Sequence, residues 1–418
     1  MSKLSRLARR MAEGYYSHPL LSLDSVLFRP VYCSAFIASK RFRGDHFAAI
    51  RHYEDAPNGK LRELLPAQSG WCHPPRRWDQ DDPAMPRPVE LSSVRVVTLA
   101  NQVVEAGSSY PFDKPQKCLY VDQEFRNLPL NGSAVTGHLV GHGRRNALVK
   151  QRGELVPAKD GVFLGGNGSC NYYHWLLEIV TKLYVLPILP EAAGLPLLVS
   201  KRVAEIGSFA EILQLLVPDR ELVFLEDKVS YLVQKAVFIE PLVTAPFHLL
   251  DCKFRAEYFA TRPEAVHYLR EAVLPKVSST ERGIWPQRIF LTRGARRGYN
   301  QDELVSIAAN QGFEAVSMEE HSLLKQAAFF ANAREIIGPT GAAWSNLVFA
   351  NKECRACCWI PEELGEFSAF SNIAGIVGLD FRHLTYPSGV RNPSDLYGHS
   401  YRICPDQLQM ALKSLAIG

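Results

Sequence analysis

The 418-residue sequence lacks the features that mark several large classes of protein. It contains no apolar run near the roughly 20 residues that a membrane-spanning helix needs. It has no low-complexity tract and no internal repeat with a period of roughly 20 to 50 residues. The nine cysteines follow no regular spacing and most lie in apolar surroundings. We therefore expect buried, reduced thiols, and neither a disulfide framework nor a cysteine metal site.

A strong excess of charge of one sign is also lacking. The 47 Lys and Arg residues nearly balance the 43 Asp and Glu residues, which gives a formal charge of +4. A dedicated nucleic-acid binder is usually far more basic, so we expect no nucleic-acid partner. With 47% hydrophobic and 22% charged residues, the composition is that of a globular protein. The length exceeds what one hydrophobic core usually supports, so we expect two domains.

The beginning of the sequence is basic but has no apolar core of secretory length behind it. Leu4, Leu7, Ala8 and Met11 would share one side of a short helix there. We favour a solvated terminal helix, with peripheral contact to the anionic face of the inner membrane as the alternative. We expect a cytoplasmic protein.

The chain divides into three parts by composition. Residues 40–90 are rich in Pro, Gly, Arg and Asp and show no regular period, which predicts an irregular N-terminal segment over residues 1–90. From Val94, short apolar runs alternate with helical stretches at 171–188 and 203–216, a pattern typical of parallel sheets covered by helices. A break near 241–246 separates a Rossmann-like domain at 91–240 from a second one at 241–418.

The alternation is most regular after Gln287. It predicts strands at RIFLT, FEAVS, EIIG and RACCWI, and helices at DELVSIAANQ, SLLKQAAFFANA and AAWSNLVFA. The fingerprint GxGxxG is absent after the first of these strands. This absence argues against an NAD or FAD enzyme, and we expect no cofactor.

Two turns at strand ends in this second part are suited to an anionic ligand. The first contains a hydroxyl and three guanidinium groups that can clamp phosphate oxygens: Thr292, Arg293, Arg296 and Arg297. A solvated basic loop is an equally favoured interpretation of the arginines alone. The second turn offers close backbone approach and free N–H groups at a helix start, with Gly338, Thr340, Gly341, Ala342 and Asn346 as candidates. A plain strand-to-helix turn is its alternative.

A polar triplet follows the glycine-rich turn at 164–169. At 3.6 residues per turn, Asn171, His174 and Glu178 would share one face of a helix. An amide, an imidazole and a carboxylate can hold a polar ligand and move a proton, and imidazole titrates near neutral pH. The alternatives are a core histidine, a Glu178–Lys182 pair and a capping role for Asn171. A metal site is disfavoured because HEXXH and a third ligand are absent.

Three segments together resemble glycosyltransferase family 61: NYYHWLLEIVTKL, RIFLTRGARRGYNQDELV and LLKQAAFFANAREIIGPTGAAWSNLVFA. The resemblance covers about residues 160–360. It implies an α/β fold of GT-B type, with two Rossmann-like domains whose parallel sheets face a cleft. It also implies an inverting, metal-independent glycosyltransferase of class EC 2.4. Arg293 and the loop at 338–346 would then bind the nucleotide-sugar donor, and Asn171, His174 and Glu178 would be the catalytic groups.

The sequence departs from the family pattern at named positions. Thr340 stands where the family often has histidine in a GPHGA turn, and Thr181 stands where proline is usual. Plant and animal members carry a membrane anchor that this sequence does not show, so it resembles bacterial members of capsule or lipopolysaccharide synthesis. The resemblance implies a glycan or lipid-linked glycan acceptor. The alternative is a non-catalytic scaffold that binds nucleotide sugar or glycan, and an NAD-linked oxidoreductase is a third, disfavoured class.

Overall fold

The computed structural model describes residues 45–79, 85–123, 125, 137–142, 145–246, 254–280, 285–294, 298–390, 396 and 399–416. The expected basic helix at the start of the chain lies outside the described residues, as do Arg296 and Arg297. The described strands form a twelve-stranded sheet, a six-stranded sheet and a two-stranded ribbon. Every helix among these residues is too short or too polar to span a bilayer.

The described strands fall into two groups along the chain. Those before the second half are β1 (Asp45–His52), β2 (Lys60–Leu65), β3 (Gln68–Cys72), β4 (Arg76–Arg77), β5 (Arg87–Leu91), β6 (Val94–Val104), β7 (Phe112–Asp113), β8 (Cys118–Val121), β9 (Leu139–His142), β10 (Asn146–Lys150), β11 (Val156–Ala158), β12 (Gly161–Phe163), β13 (Leu197–Ser200), β14 (Leu222–Leu225) and β15 (Tyr231–Ile239). Those within the second half are β16 (Arg288–Leu291), β17 (Glu314–Val316), β18 (Glu335–Pro339), β19 (Arg355–Pro361) and β20 (Asp380–Tyr386).

The described helices are of three kinds. The α-helices are α1 (Arg202–Glu205), α2 (Gly207–Leu216), α3 (Pro263–Thr280), α4 (Gln301–Ala309), α5 (Leu323–Asn332), α6 (Ala369–Val377) and α7 (Pro405–Ala416). A π-helix covers His174–Ile179 and continues as a 3₁₀ helix over Val180–Ile188. The remaining 3₁₀ helices are Tyr53–Asp55, Pro190–Ala192, Ala256–Tyr258, Met318–Glu320, Ala342–Phe349 and Glu362–Leu364.

The twelve-stranded sheet is mixed, so the prediction of a parallel Rossmann-like sheet in the first half is wrong. Strands β12, β13 and β14 run parallel to one another, and β12 is also parallel to β15. The long strand β6, however, lies antiparallel to β15, β2 and β7. The connections from β6 through β7 to β8 are too short for the crossover that parallel neighbours require, so these strands pair antiparallel.

The predicted irregular segment at 1–90 is also wrong for its described part. Strand β1 lies inside the large sheet between β8 and β10, and β3 pairs with β5 as a ribbon. Strand β4 pairs with β20 at the edge of the other sheet. Strands β3, β4 and β5 are short, and most of their residues are exposed or half-buried. Their sequences therefore show little of the apolar alternation that predicts a strand. The N-terminal part of the chain therefore contributes to both sheets.

The six-stranded sheet is parallel throughout, with the order β17, β16, β18, β19, β20, β4. The predicted alternation after Gln287 is confirmed for its four strands and for α4 and α5. Strands β18 and β19 are buried almost throughout, as expected for strands covered on both faces. The predicted helix after β18 is 3₁₀ in form over Ala342–Phe349. The α/β class is thus confirmed, whereas the GT-B arrangement stays a prediction.

One hydrophobic core joins the two halves of the molecule. It contains Trp175 and Phe209 from the first half, whose rings stack with centroids 5.5 Å apart, and Phe330 and Trp344 from the second half. Helix α3 packs against the 3₁₀ segment Val180–Ile188 and also against the helix Ala342–Phe349. The segment that begins at Tyr172 is therefore held between the two sheets by apolar burial, a strong stabilising term in folding.

Candidate active site

The polar triplet lies at the start of a π-helix. A helical turn at Tyr172 and Tyr173 widens into the π-helix His174–Ile179, where we predicted a regular α-helix. Trp175, Leu176 and Leu177 are fully buried and anchor this wide turn in the core. Wide turns of this kind are rare and are frequently found at functional sites.

His174 and Glu178 form a dyad on this turn. The Nδ1 atom of His174 lies 2.7 Å from Oε2 of Glu178. The side chain of Glu178 is 12% exposed and that of His174 is 19% exposed. An ionised carboxylate can only accept, so His174 donates through Nδ1. In a neutral ring that tautomer places the lone pair on Nε2, the arrangement of a general base oriented by a carboxylate.

The turn before the helix packs closely against the imidazole ring of His174. Gly168 has φ +70°, and a Cβ atom there would lie 2.5 Å from Cδ2 of His174. The ring of Tyr173 meets the imidazole edge-on, with centroids 5.2 Å apart. Because glycine adopts positive φ without a clash, Gly168 lets the backbone approach the imidazole closely. The glycine-rich turn is therefore part of the site.

Asn171 is separate from the dyad. Its Oδ1 accepts a hydrogen bond from the backbone N–H of Tyr173 at 2.9 Å, and the residue is exposed. This side-chain hydrogen bond is that of a helix cap, one of the alternatives raised by the sequence. For Glu178, the observed partner is His174, where the alternative predicted an ion pair with Lys182. The structure brings together two members of the triplet and gives the third a local backbone contact.

Glu178 also lines a narrow cleft of about 40 Å³. The cleft lies at the carboxyl ends of the parallel strands β12 and β15, where open α/β sheets bind ligands. Polar and charged side chains in its wall are Ser109, Asp122, Asn167, Glu178, Lys182 and Glu240. Burial, and next the charge of Glu240, raise the pKa of Asp122 to about 6.

Only some of these cleft residues carried a signal in the sequence. Asp122 directly follows the buried strand β8, and Asn167 belongs to the glycine-rich turn, so both had a local cue. Lys182 had only its i, i+4 spacing from Glu178, and Glu240 had no cue beyond being polar. They come from segments about 60 residues apart, and only tertiary structure places them on one wall.

The two predicted anion-suited turns do meet in the second half. Arg293 donates from Nη1 to the backbone oxygen of Thr340 at 2.9 Å. A Cβ atom on Gly341 would lie 3.6 Å from Cζ of Arg293, so the guanidinium lies along the glycine. Thr292 directly precedes Arg293, and its backbone N–H donates to the backbone oxygen of Val316 at 2.9 Å. Ala342 begins the 3₁₀ helix that follows.

The other two residues that we predicted to bind the nucleotide-sugar donor, Gly338 and Asn346, are buried. Gly338 is part of the buried strand β18, and a Cβ atom there would lie 2.6 Å from Cβ of Leu291. Asn346 is fully buried, donates to Oε1 of Gln326 at 2.9 Å, and accepts from the hydroxyl of Tyr172 at 2.9 Å. Asn346 thus joins the helix that carries the dyad to the second half.

No metal cluster accompanies the dyad in the described ranges. Nowhere in those ranges do three or more His, Cys, Asp or Glu side chains come together in a way that could hold a metal ion. The arrangement therefore offers acid–base chemistry beside a polar cleft, and a cationic turn suited to an anionic group.

Comparison with known proteins identifies the class. Residues 172–357 match the family model of glycosyltransferase 61, so this part of the chain is a glycosyltransferase family 61 domain. The protein is therefore an enzyme of the glycosyltransferase class, EC 2.4. The domain includes Tyr172, the dyad, Arg293 and the loop that contains Thr340.

The other comparisons add little. No curated protein matches the chain significantly. Similar solved structures include a diflavin flavoprotein A3 from Nostoc sp., at 12% identity over 32% of this chain and 90% of that chain, with a TM-score of 0.21. The flavodiiron core of Flv1 from Synechocystis sp. is 12% identical over 56% of this chain and 74% of that chain, also with a TM-score of 0.21. Similarity this low carries no argument about fold or function.

Proposed function

We propose that the enzyme is an inverting, metal-independent glycosyltransferase that moves a sugar from a nucleotide-sugar donor to a hydroxyl of a glycan acceptor. The observation that supports this most is the 2.7 Å contact between His174 and Glu178 within the family 61 domain. The dyad lies on a buried, wide helical turn, and Glu178 lines a narrow cleft beside it.

His174 is the general base of this proposal. Its Nε2 atom takes the proton of the acceptor hydroxyl as the oxygen attacks the anomeric carbon of the donor. The carbon–oxygen bond to the diphosphate breaks in the same displacement, and the nucleoside diphosphate departs with the bonding electrons. Glu178 holds Nδ1–H and stabilises the imidazolium that forms. Asn171 caps the helix start that positions both groups.

The donor diphosphate lies against the cationic turn of the second half. Arg293, the backbone of Thr340 and Gly341, and the helix start at Ala342 stabilise its growing negative charge. Arg296 and Arg297 follow closely in sequence and are proposed as further guanidinium groups for the diphosphate. Thr292, Gly338 and Asn346 support the loop from within. A threonine at 340 contributes a hydroxyl where many family members have an imidazole.

The proposed setting is bacterial capsule or lipopolysaccharide synthesis, at the cytoplasmic side of the inner membrane. The acceptor would be a glycan or a lipid-linked glycan. Domains at 91–240 and 241–418 would face each other in a GT-B arrangement. The competing proposal is a non-catalytic scaffold that binds nucleotide sugar, which Thr340 favours because it replaces a common family histidine.

Thermal-shift screening against UDP, GDP, dTDP and CMP sugars tests the donor class, because a ligand of the folded state raises its apparent stability. The stabilising donor is then used in a transfer assay with His174→Ala and Glu178→Ala. We expect turnover to fall by about 10²- to 10⁴-fold in both, with donor affinity unchanged. His267→Ala, an exposed histidine on α3, is the matched control and keeps full activity.

Near-normal turnover in both dyad variants would remove these residues from the mechanism. A wild-type enzyme that binds a donor but neither hydrolyses nor transfers it, across an acceptor panel, would favour the scaffold.

A further inference from the structure

The strand order of the six-stranded sheet reverses between β16 and β18. From β16 the chain crosses through α4 to β17 on one side, and then through α5 to β18 on the other side. Open parallel sheets bind ligands in the crevice outside the carboxyl ends of the strands at such a switch point. Arg293 follows β16 and donates to the backbone oxygen of Thr340, which follows β18. The cationic turn therefore lies at the switch point.

A carboxylate lies at the end of the neighbouring strand β17. Glu319 belongs to the 3₁₀ helix Met318–Glu320, which follows β17 closely. Its Oε1 atom accepts from the backbone N–H of Gly294 at 3.0 Å, in the turn that also contains Arg293. The residue is exposed. Glu319 is thus held against the cationic turn on the side of β17, opposite to the loop that contains Thr340.

One oxygen of this carboxylate is left for a ligand. Oε1 bonds to Gly294, whereas Oε2 of Glu319 makes no hydrogen bond within the part of the chain that the structure describes. An ionised carboxylate can only accept, so Oε2 suits a hydroxyl group and repels a phosphate oxygen. The charges therefore place the diphosphate on the β18 side, at Arg293 and Thr340, and an uncharged, hydroxyl-bearing group on the β17 side.

A nucleotide sugar has two such groups, the ribose and the transferred sugar, one at each end of its diphosphate. The transferred sugar has to lie toward His174. The helix that carries His174 is bonded through Tyr172 to Asn346, in the 3₁₀ helix that follows β18. The β17 side is thus left for the ribose. In dinucleotide-binding folds, an acidic residue after the second strand of the unit likewise bonds to a ribose hydroxyl.

We infer that Glu319 selects the ribose of the donor nucleotide, with Oε2 accepting a hydrogen bond from the 2′-hydroxyl while the N–H of Gly294 fixes Oε1. The inference rests on the proposed function and narrows its substrate class. The donor is a ribonucleoside diphosphate sugar, and 2′-deoxynucleotides such as dTDP bind weakly because they leave the carboxylate without this hydroxyl.

Calorimetry on the full chain with paired nucleotides tests the inference. The probes are UDP, GDP, ADP and CDP, each measured beside its 2′-deoxy counterpart. We expect at least one ribonucleotide to bind, and to bind about tenfold more tightly than its deoxy counterpart, since a hydrogen bond to a charged group is lost without the hydroxyl. In Glu319→Ala the ratio of the two affinities should fall to about one.

Two further variants separate the ribose contact from other effects. Glu320→Ala removes the neighbouring exposed carboxylate and should keep the wild-type ratio. Arg293→Ala should weaken both nucleotides of a pair alike, because its proposed contact is with the diphosphate, so the ratio should again be that of wild type. If Glu319 only supported the turn at Gly294, its loss would also weaken both nucleotides alike and leave the ratio unchanged.

The inference is overturned by equal affinities for the two sugars in wild type, by tighter binding of the deoxynucleotide, or by a wild-type ratio in Glu319→Ala. Each of these results leaves the proposed function standing, because a nucleotide still binds. A wild-type enzyme that binds none of the nucleoside diphosphates would contradict the proposed function itself, and the inference with it.

Discussion

At the scale of single residues, Arg293 has a structural and a proposed binding role. It fixes the loop of the second half by donating to the backbone of Thr340, and it lies along Gly341. The planar guanidinium has several donors, so one can hold the loop while others face a diphosphate. A lysine at this position would supply the positive charge but not the planar set of several N–H donors.

Replacing Arg293 should therefore weaken nucleotide binding. Charge-assisted hydrogen bonds contribute about 1.5–3 kcal/mol each, so Arg293→Ala should lower nucleotide affinity by about ten- to hundredfold in calorimetry. Arg293→Lys should recover only part of the loss. Arg402→Ala, which removes an exposed arginine paired with Glu303 in the same half, is the control. Unchanged affinity in Arg293→Ala would exclude Arg293 from the donor site.

The raised pKa of Asp122 predicts that the stability of the fold depends on pH. Its pKa rises from 3.8 to about 6 on folding, mainly through burial and next through Glu240, while Lys182 and Arg95 oppose the rise. The folded state thus binds the proton more tightly than the unfolded state. The contribution to stability is present below about pH 4 and is lost as pH rises through about 6, by up to about 3 kcal/mol.

Urea unfolding of wild type and Asp122→Asn measures this loss. The free energy of unfolding of wild type, relative to the variant, should decrease between acidic and neutral pH. Asp219→Asn, at an exposed position, should show no such change relative to wild type. A difference between wild type and Asp122→Asn that stays constant with pH would contradict the assignment.

At the scale of elements, the turn before the π-helix determines where the imidazole lies. Gly168 and Gly194 both have positive φ, of +70° and +71°. A Cβ atom at 168 would meet His174 at 2.5 Å, whereas one at 194 would meet nothing within 4 Å. The two glycines thus share a positive φ, which would strain any other residue, and they differ in whether an added Cβ atom would contact His174.

This pair separates strain from displacement of the base. Gly168→Ala and Gly194→Ala should each lower stability by about 1 kcal/mol, because alanine is strained at positive φ. Only Gly168→Ala should also lower turnover, since the added methyl group moves His174 away from Glu178. Thermal unfolding and steady-state turnover on both variants provide the test. Equal turnover in the two variants would mean that the turn does not position the imidazole.

At the scale of the whole molecule, a buried polar link accompanies the shared hydrophobic core. Tyr172 of the first half donates to Asn346 of the second half, and Asn346 donates in turn to Gln326 within the second half. Arg270 adds bonds from α3 to the backbone of Val348 and Ala350, at 2.6 and 2.9 Å. The Tyr172–Asn346 bond therefore joins the helix that carries the dyad to the 3₁₀ helix Ala342–Phe349, and the other bonds brace that 3₁₀ helix within the second half.

Tyr172→Phe should therefore destabilise the fold beyond the loss of one hydroxyl. It leaves a buried amide oxygen of Asn346 without its donor, which typically costs about 1–3 kcal/mol. Tyr184→Phe, at an exposed tyrosine of the adjoining 3₁₀ helix, should change stability little. Urea denaturation of both variants gives the comparison, and equal stability would show that the link is dispensable.

The sequence predicted best where local periodicity and topology agree. After Gln287, each βα unit is continuous in the chain, so apolar runs and helix caps were enough to place β16 to β19 with α4 and α5. The dyad was predictable for the same reason, since two residues four apart lie on the same face of a helix and are close enough to interact. Asn171 shows the limit of that argument, because its side chain bonds to the backbone.

By itself, then, the sequence determined the α/β class, the second parallel sheet, the His174–Glu178 contact and the family 61 motifs. These depend on short-range patterns along one segment of chain. Only the tertiary structure decided the antiparallel pairing of β6, the role of residues 45–91 in both sheets, the π-helix and the wall of the cleft. These features depend on contacts between distant segments, where long-range packing and pairing outweigh local preference.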